Sequence, residues 1–215
     1  MPNNGQVKRF EFYRGRVKGA LDRLAGALFL LVFSPLMILI ALLILLFNGR
    51  PIFFMQTRVG RGGHAFSIYK FRTMTVESGR NSSRSGEVAG QSLEEARKRF
   101  KTTDPNDRRI TAVGKILRKT HLDELPQFIN VVNGDMALVG PRPDVPVQEA
   151  DYRPRYWRVR CMVKPGITGL AQVISARSTR HRLAMDIWYV RNLTFALDLK
   201  ILLRTVMSVI RAKSF

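Results

Sequence analysis

The sequence predicts an α+β fold, mainly helical and seated on a membrane, and three observations carry that prediction. Residues Ala25–Phe47, AGALFLLVFSPLMILIALLILLF, form a charge-free run that matches the roughly 20 residues a helix needs to cross hydrocarbon. Residues 52–74, IFFMQTRVGRGGHAFSIYKFRTM, place two β-rich runs on either side of a Gly-Arg-Gly-Gly turn, the pattern of a small β hairpin. Residues 195–213, FALDLKILLRTVMSVIRAK, set Leu199, Leu202, Leu203, Val206 and Ile210 against Lys200, Arg204, Arg211 and Lys213. That is either an amphipathic helix lying in the headgroup plane or a core helix with a basic outer face.

The length of 215 residues suits one domain with insertions. Lys and Arg total 36 against 16 Asp and Glu, a formal charge of +20, so the partner is anionic: nucleic acid, an acidic membrane face or a phosphorylated substrate. Cys161 is the single cysteine; it excludes an intrachain disulfide and, with no metal-type Cys/His spacing, fits a cytoplasmic setting.

The apolar run begins too far into the chain for a signal peptide, and no cleavage site follows it, so it is expected to be retained. At its centre Pro35 lacks the N–H that Leu31 would accept and clashes with that carbonyl; Ser34 can take up the freed group. Basic residues flank both ends: Lys8, Arg9, Arg14, Arg16, Lys18 and Arg23 before it, and Arg50, Arg58 and Arg61 after it. Positive charge marks the cytoplasmic side. A re-entrant helix that enters and leaves by one face satisfies both flanks, and a kinked spanning helix is the alternative.

In the hairpin, Phe66 and Ile68 face inward. Lys70 and Arg72 point to one face if the strand is regular, as a solvated edge or a phosphate-facing pair. Its glycines lack the Gly-Lys-Ser/Thr ending of a P-loop. Residues 77–109 are polar and Gly/Ser-rich, which predicts a mobile surface insertion. The segment YRPRYWRVR, residues 152–160, mixes arginine with Tyr152, Tyr156 and Trp157. Such mixtures suit membrane interfaces and single-stranded nucleic acid alike; the apolar run favours the membrane, and no nucleic acid is expected.

In HLDELPQFINVVNGDMALVGPRPD, residues 121–144, Asp123 and Glu124 are adjacent. With Asp123 as N-cap, Pro126 falls in the first turn, and Leu125, Phe128, Ile129 and Val132 make a buried stripe. Capping alone accounts for such a pair. The same geometry also suits phosphate chemistry, in which a carboxylate holds a divalent ion or attacks phosphorus while Arg118, Lys70, Arg72 and Arg142 offset the charge.

Taken together, these motifs resemble the small monotopic phosphoglycosyl transferases of bacteria. FSPLMILIALL is similar to the family's Ser-Pro re-entrant helix, YKFRTM to its basic strand, LDELPQFINVVNGDMALVGPRPD to its catalytic core, and KPGITGLAQV and DIWYVRNLTFALDLKILL to its closing segments. The resemblance implies an enzyme of the inner, cytoplasmic membrane. Residues 1–50 would carry the re-entrant (helix-break-helix) segment, broken at Ser34 and Pro35, and residues 51–215 the cytoplasmic catalytic domain. Asp123 would attack the β-phosphate of a UDP-sugar and release UMP. Polyprenyl phosphate, as undecaprenyl phosphate, would then take up the phosphosugar. Glu124 would assist Mg2+ binding and proton handling, with Asp123 as its fellow ligand. Arg118 would stand near the lipid phosphate, and Arg142 and Pro143 of the Pro-Arg-Pro would bind nucleotide phosphate. Asp186 matches a functional acid of the family. Leu170 stands where Trp is common and ISARSTR replaces a usual turn, so the resemblance leaves the donor sugar open, as it does the oligomeric state.

Overall fold

The computed structural model describes residues 13–75, 97, 107–176 and 178–212. Most of the expected insertion at 77–109 lies outside the described residues.

A π-helical turn, Tyr13–Val17, leads into α1, Lys18–Asn48. Pro35 lies inside α1, so the expected helix-break-helix is one continuous helix carrying a proline. Ser34 Oγ donates to Leu31 O at 2.8 Å, occupying the carbonyl whose i+4 partner is Pro35. Only 11% of the most apolar window is buried, and Leu24, Leu31 and Leu46 are each at least 70% exposed. In water such a surface would be costly, so it calls for lipid.

The opposite face of α1 is packed along its length. Asp22 accepts a hydrogen bond from Leu138 N, Phe29 stacks on Phe128 with ring centres 5.0 Å apart, and Ile40 and Ile44 join Phe71 and Leu117 in one apolar cluster. Gly26 sits where any Cβ would lie 3.0 Å from Val131 Cγ1. At the carboxyl end Asn48 donates to Thr111 Oγ1 at 2.8 Å.

Strands β1, Phe53–Val59, and β2, Ala65–Phe71, pair antiparallel from Phe53↔Phe71 to Val59↔Ala65. The glycine turn falls between them, with Gly62 and Gly63 at positive φ. Helix α2, Ala112–Thr120, starts at Thr111, whose hydroxyl accepts from Gly114 N at 2.9 Å. His121, in the left-handed conformation, ends it.

The acid pair departs from the expected cap. Asp123 and Glu124 occupy a 3-10 turn, Leu122–Glu124, and α3 begins at Gln127 after Pro126 and runs to Asn133. Capping requires an extended residue just before the helix, and here the left-handed His121 tightens the chain into the short turn instead. The most deeply buried side chains of α3 are Asn130 and Val131, whereas the predicted stripe is half-buried. Asn130 accepts from Tyr69 N and donates to Ser67 O, so α3 is hydrogen-bonded to β2.

A second sheet was not expected. Strands β3, Ala137–Val139, and β4, Gly166–Thr168, pair in parallel. Gly140 and Gly166 allow this approach, because a Cβ on Gly140 would meet Lys164 O at 2.4 Å. A 3-10 helix, Pro146–Asp151, α4, Pro154–Arg160, α5, Leu170–Val173, α6, Thr179–Arg191, and α7, Phe195–Ala212, complete the chain. The main core gathers Ile68, Val131, Val139, Tyr189, Leu193 and Ile201. On α7, Leu199, Leu203 and Val206 are exposed while Asp198 and Ile201 are buried. Its apolar stripe therefore faces outward, and α7 is not a core helix with a basic outer face.

Candidate active site

The hairpin, the acid turn and the loop after β3 converge on one cleft, lined by Arg58, Ile68, Lys70, Glu124, Gln127, Arg142, Pro143, Gly166 and Ile167. Lys70 Nζ stands 2.5 Å from Glu124 Oε1 and Arg142 NH2 stands 3.6 Å from the same oxygen. Glu124 is thereby held between two cations. Burial opposes its ionisation, but Lys70 and Arg142 outweigh it, and the carboxyl lies below the usual range. Asp123 is shifted the other way. Burial raises its pKa against the pull of Lys70, and the neighbouring charge of Glu124 adds to the rise. The two adjacent acids are therefore driven apart, one a fixed anion and the other a more basic carboxylate.

Arg58 went unnoticed in the sequence except as a flanking charge. In β1 it is mostly buried, donating to Pro143 O at 2.9 Å and to Gln56 Oε1 at 2.6 Å, while its Nε has no partner. Burial, together with repulsion from Arg142, lowers its pKa to about 10. Asp144 and Glu124 attract it without forming an ion pair, and a desolvated cation in that position favours an anionic ligand. Strand register was the available signal: Phe54 lies opposite Lys70 and Phe66 opposite Arg58, which places Arg58 and Lys70 on one face of the hairpin.

The structure brings Lys70, Glu124, Arg142 and Pro143 together around this cleft, with Asp123 beside them. It does not bring Arg72 there. Arg72 is 5% exposed and donates to the carbonyls of Asn48, Gly49 and Arg50, closing the carboxyl end of α1. The predicted sharing of one face with Lys70 fails because β2 ends at Phe71 and the chain turns toward α1. Arg118 donates through Nε to Thr73 Oγ1 at 2.9 Å, and its charge contributes to the field at Asp123.

Asp186 is 2% exposed and lies away from the cleft lining, 3.0 Å from Arg160 Nε. Arg160, 4% exposed, also pairs with Asp144 at 3.2 Å and donates to the carbonyl of Arg142. Tyr152 OH and Arg182 complete the cage around Asp144. The Pro-Arg-Pro-Asp loop is thus pinned at Pro143 O by Arg58 and at Arg142 O by Arg160. Among the described residues Asp186 reaches the cleft through that second arginine. Arg160 was invisible in the sequence because its partners are 16 and 26 residues away.

Among the described residues no cluster of three or more His, Cys, Asp or Glu could hold a metal ion. The adjacent carboxylates Asp123 and Glu124 fit a magnesium ion completed by substrate phosphate and water, the usual pattern for this hard cation, better than a closed protein cage.

Three basic side chains around one carboxylate, with a second acid at their edge and a long exposed apolar helix in the same chain, make a site suited to an anionic ligand beside a membrane. The chain belongs to the bacterial sugar transferase family, which it matches over residues 13–212. It is 38% identical over 201 residues, 90% of this chain and 44% of the relative, to UDP-N-acetylgalactosamine-undecaprenyl-phosphate N-acetylgalactosaminephosphotransferase of Aeromonas hydrophila. It is 40% identical over 202 residues, 90% of this chain and 69% of the relative, to UDP-glucose:undecaprenyl-phosphate glucose-1-phosphate transferase of Caulobacter vibrioides. It is 36% identical over 213 residues, 93% of this chain and 98% of the relative, to exopolysaccharide production protein PSS of Rhizobium leguminosarum. The chain thus spans under half of the first relative and nearly all of the third.

Proposed function

We propose that this chain transfers a sugar 1-phosphate from a UDP-sugar to undecaprenyl phosphate in two steps, with Asp123 as the nucleophile. In the first, a carboxylate oxygen of Asp123 bonds to the β-phosphorus, the bond from that phosphorus to the bridging oxygen breaks, and UMP leaves. In the second, an oxygen of the lipid phosphate bonds to the same phosphorus and the bond to Asp123 breaks, freeing the aspartate. Atoms and charge balance without a redox partner.

The observation that carries this reading is the opposite perturbation of the two acids. A nucleophile gains from a raised pKa if it stays ionised near neutrality, and a group that holds a cation gains from a depressed one. Lys70, Arg58 and Arg142 would bind the donor phosphates and offset the repulsion between carboxylate and phosphate. Arg118 would meet the lipid phosphate. Asp123 and Glu124 would hold Mg2+, which supplies charge neutralisation at the phosphates when bound. Relatives named for UDP-sugars and undecaprenyl phosphate support the substrate classes.

Membrane placement belongs to the same reading. The amino-terminal part of α1 is bonded to Leu138 and its carboxyl end to Thr111, so both ends stay with one domain. A helix tied in this way near both ends, with Pro35 inside it, supports entry and exit by a single face. The basic flanks make that face the cytoplasmic side of the inner membrane, where undecaprenyl phosphate presents its headgroup.

A panel of UDP-sugars with a UMP readout, in the presence of undecaprenyl phosphate and Mg2+, tests the proposal. One donor giving UMP and a lipid-linked phosphosugar supports it. No UMP with any donor would leave a phosphate-binding module as the better account.

A further inference from the structure

A second cleft, of about 470 Å³ including its open mouth, lies on other residues than the first: Gly15, Lys18, Gly19, Asp22, Arg61, Ala137, Met162, Val163, Lys164 and Leu193. The charges inside it divide in two. Lys18 is held by Asp198 at 2.6 Å and by Asp22 at 3.4 Å, and Asp22 also accepts from Leu138 N. These three charges pair among themselves. Arg61, Lys164 and Arg23 form no ion pair or side-chain hydrogen bond among the described residues, although Asp22 and Asp135 attract Lys164 from farther off; Arg23 lies over Gly134 and repels Lys164. Burial, with repulsion from Arg23 and Arg61, outweighs the pull of Asp22 and Asp135 and lowers the pKa of Lys164. Cations without an ion pair, gathered at a concave surface, mark an anion site.

The position of the cleft narrows the anion. Its wall is the π-helical turn and the start of α1, where a Cβ on Gly15 or Gly19 would meet nothing within 4 Å. The exposed apolar surface of α1 begins at Leu21 and Leu24, and Met162 on the rim is 51% exposed. The cleft therefore sits where α1 enters lipid, at headgroup depth.

We propose that this cleft binds the phosphate of an anionic glycerophospholipid through Arg61 and Lys164, as a resident lipid site separate from the transfer site. The proposal rests on the reading of α1 as membrane-embedded, and it does not depend on the identity of the sugar. The full chain in detergent is titrated with short-chain phosphatidylglycerol, short-chain phosphatidylcholine and inorganic phosphate, with thermal stability as the readout. Phosphatidylglycerol is expected to raise the melting temperature saturably, with the other two giving little at equal concentration. Arg61→Gln with Lys164→Gln should weaken that response at least tenfold, and Gly19→Phe, which fills the cleft from open space, should abolish it. UMP release by both variants in phosphatidylcholine should match that of the unaltered chain. An equal response to inorganic phosphate would overturn the lipid assignment, and an undiminished response in both variants would overturn the site. A chain that responds to phosphatidylglycerol yet releases no UMP with any donor refutes the transfer reaction and leaves this site standing.

Discussion

Lys70 Nζ lies 2.5 Å from Glu124 Oε1, and the two side chains are only 16% and 18% exposed. This pair separates the roles of two acids that are neighbours in the chain. Glu124 is committed to a cation. Asp123, one peptide bond earlier, is desolvated without a partner of its own that close, which under the proposed reaction leaves its carboxylate free to attack.

The first consequence concerns stability. The pKa of Asp123 is raised in the folded chain. Folding is therefore unpenalised by this group below its unfolded pKa, and stability falls as pH rises through the folded value. Asp123→Asn removes the penalty. At pH 7.5 the variant should melt no lower than the unaltered chain, and the two should converge below pH 4 in thermal scans, while transfer is abolished.

Glu124 has the opposite sign. Its pKa is depressed, so its contribution is present above the unfolded value and is lost as pH falls through the folded one. Glu124→Gln should cost about 1–2 kcal/mol at pH 7, because it leaves Lys70 without its carboxylate in a partly desolvated place. Denaturant titrations at pH 7 and at pH 3 should show that cost shrinking with acidity.

Arg72 and Arg142 were read alike in the sequence and separate in the structure. Arg72→Gln strips the carboxyl end of α1 of its donors and should destabilise by about 2 kcal/mol with little change in donor KM. Arg142→Gln, at a side chain 45% exposed, should leave the melting temperature in place and raise donor KM roughly tenfold, the effect of about 1.4 kcal/mol of lost binding. Steady-state kinetics paired with thermal melts distinguish the two.

Much of this could be read from local pattern. The apolar run, the hairpin with its glycine turn and the acid pair depend on neighbours within a few residues, and periodicity or turn chemistry reports those. The β3–β4 pair did not show, because three-residue strands carry too little alternation and their partners lie about thirty residues apart. The places of Arg58, Arg72 and Arg160 are likewise fixed by tertiary contacts, to Pro143, to the end of α1 and to Asp144 with Asp186. The cap predicted at Asp123 failed because the left-handed His121 set the following backbone.

Under the proposed function Asp186 is a positioning residue, acting through Arg160. Asp186→Asn leaves Arg160 with Asp144 as its one carboxylate and loosens the hold on the Arg142 carbonyl. Donor KM should rise several-fold while acceptor KM is unchanged, with a loss of about 3 kcal/mol in stability. Equal changes in both KM values would point to a general structural defect instead.

The path of α1 is open to labelling, since the native Cys161 is buried. Single cysteines at Gly15 and Ala112, before and after the helix, should both resist an impermeant maleimide in intact cells and react once the membrane is opened. Labelling of either one from outside rules out entry and exit by the cytoplasmic face.

The covalent step is the central claim, and incubation of the full chain with its UDP-sugar donor, radiolabelled in the β-phosphate, without lipid acceptor tests it most directly. The expected result is a burst of UMP equal to the enzyme present, with label recovered on the peptide that carries Asp123 and discharged by undecaprenyl phosphate. Transfer that proceeds in the full mixture while the donor-only reaction yields neither UMP nor labelled protein would contradict it.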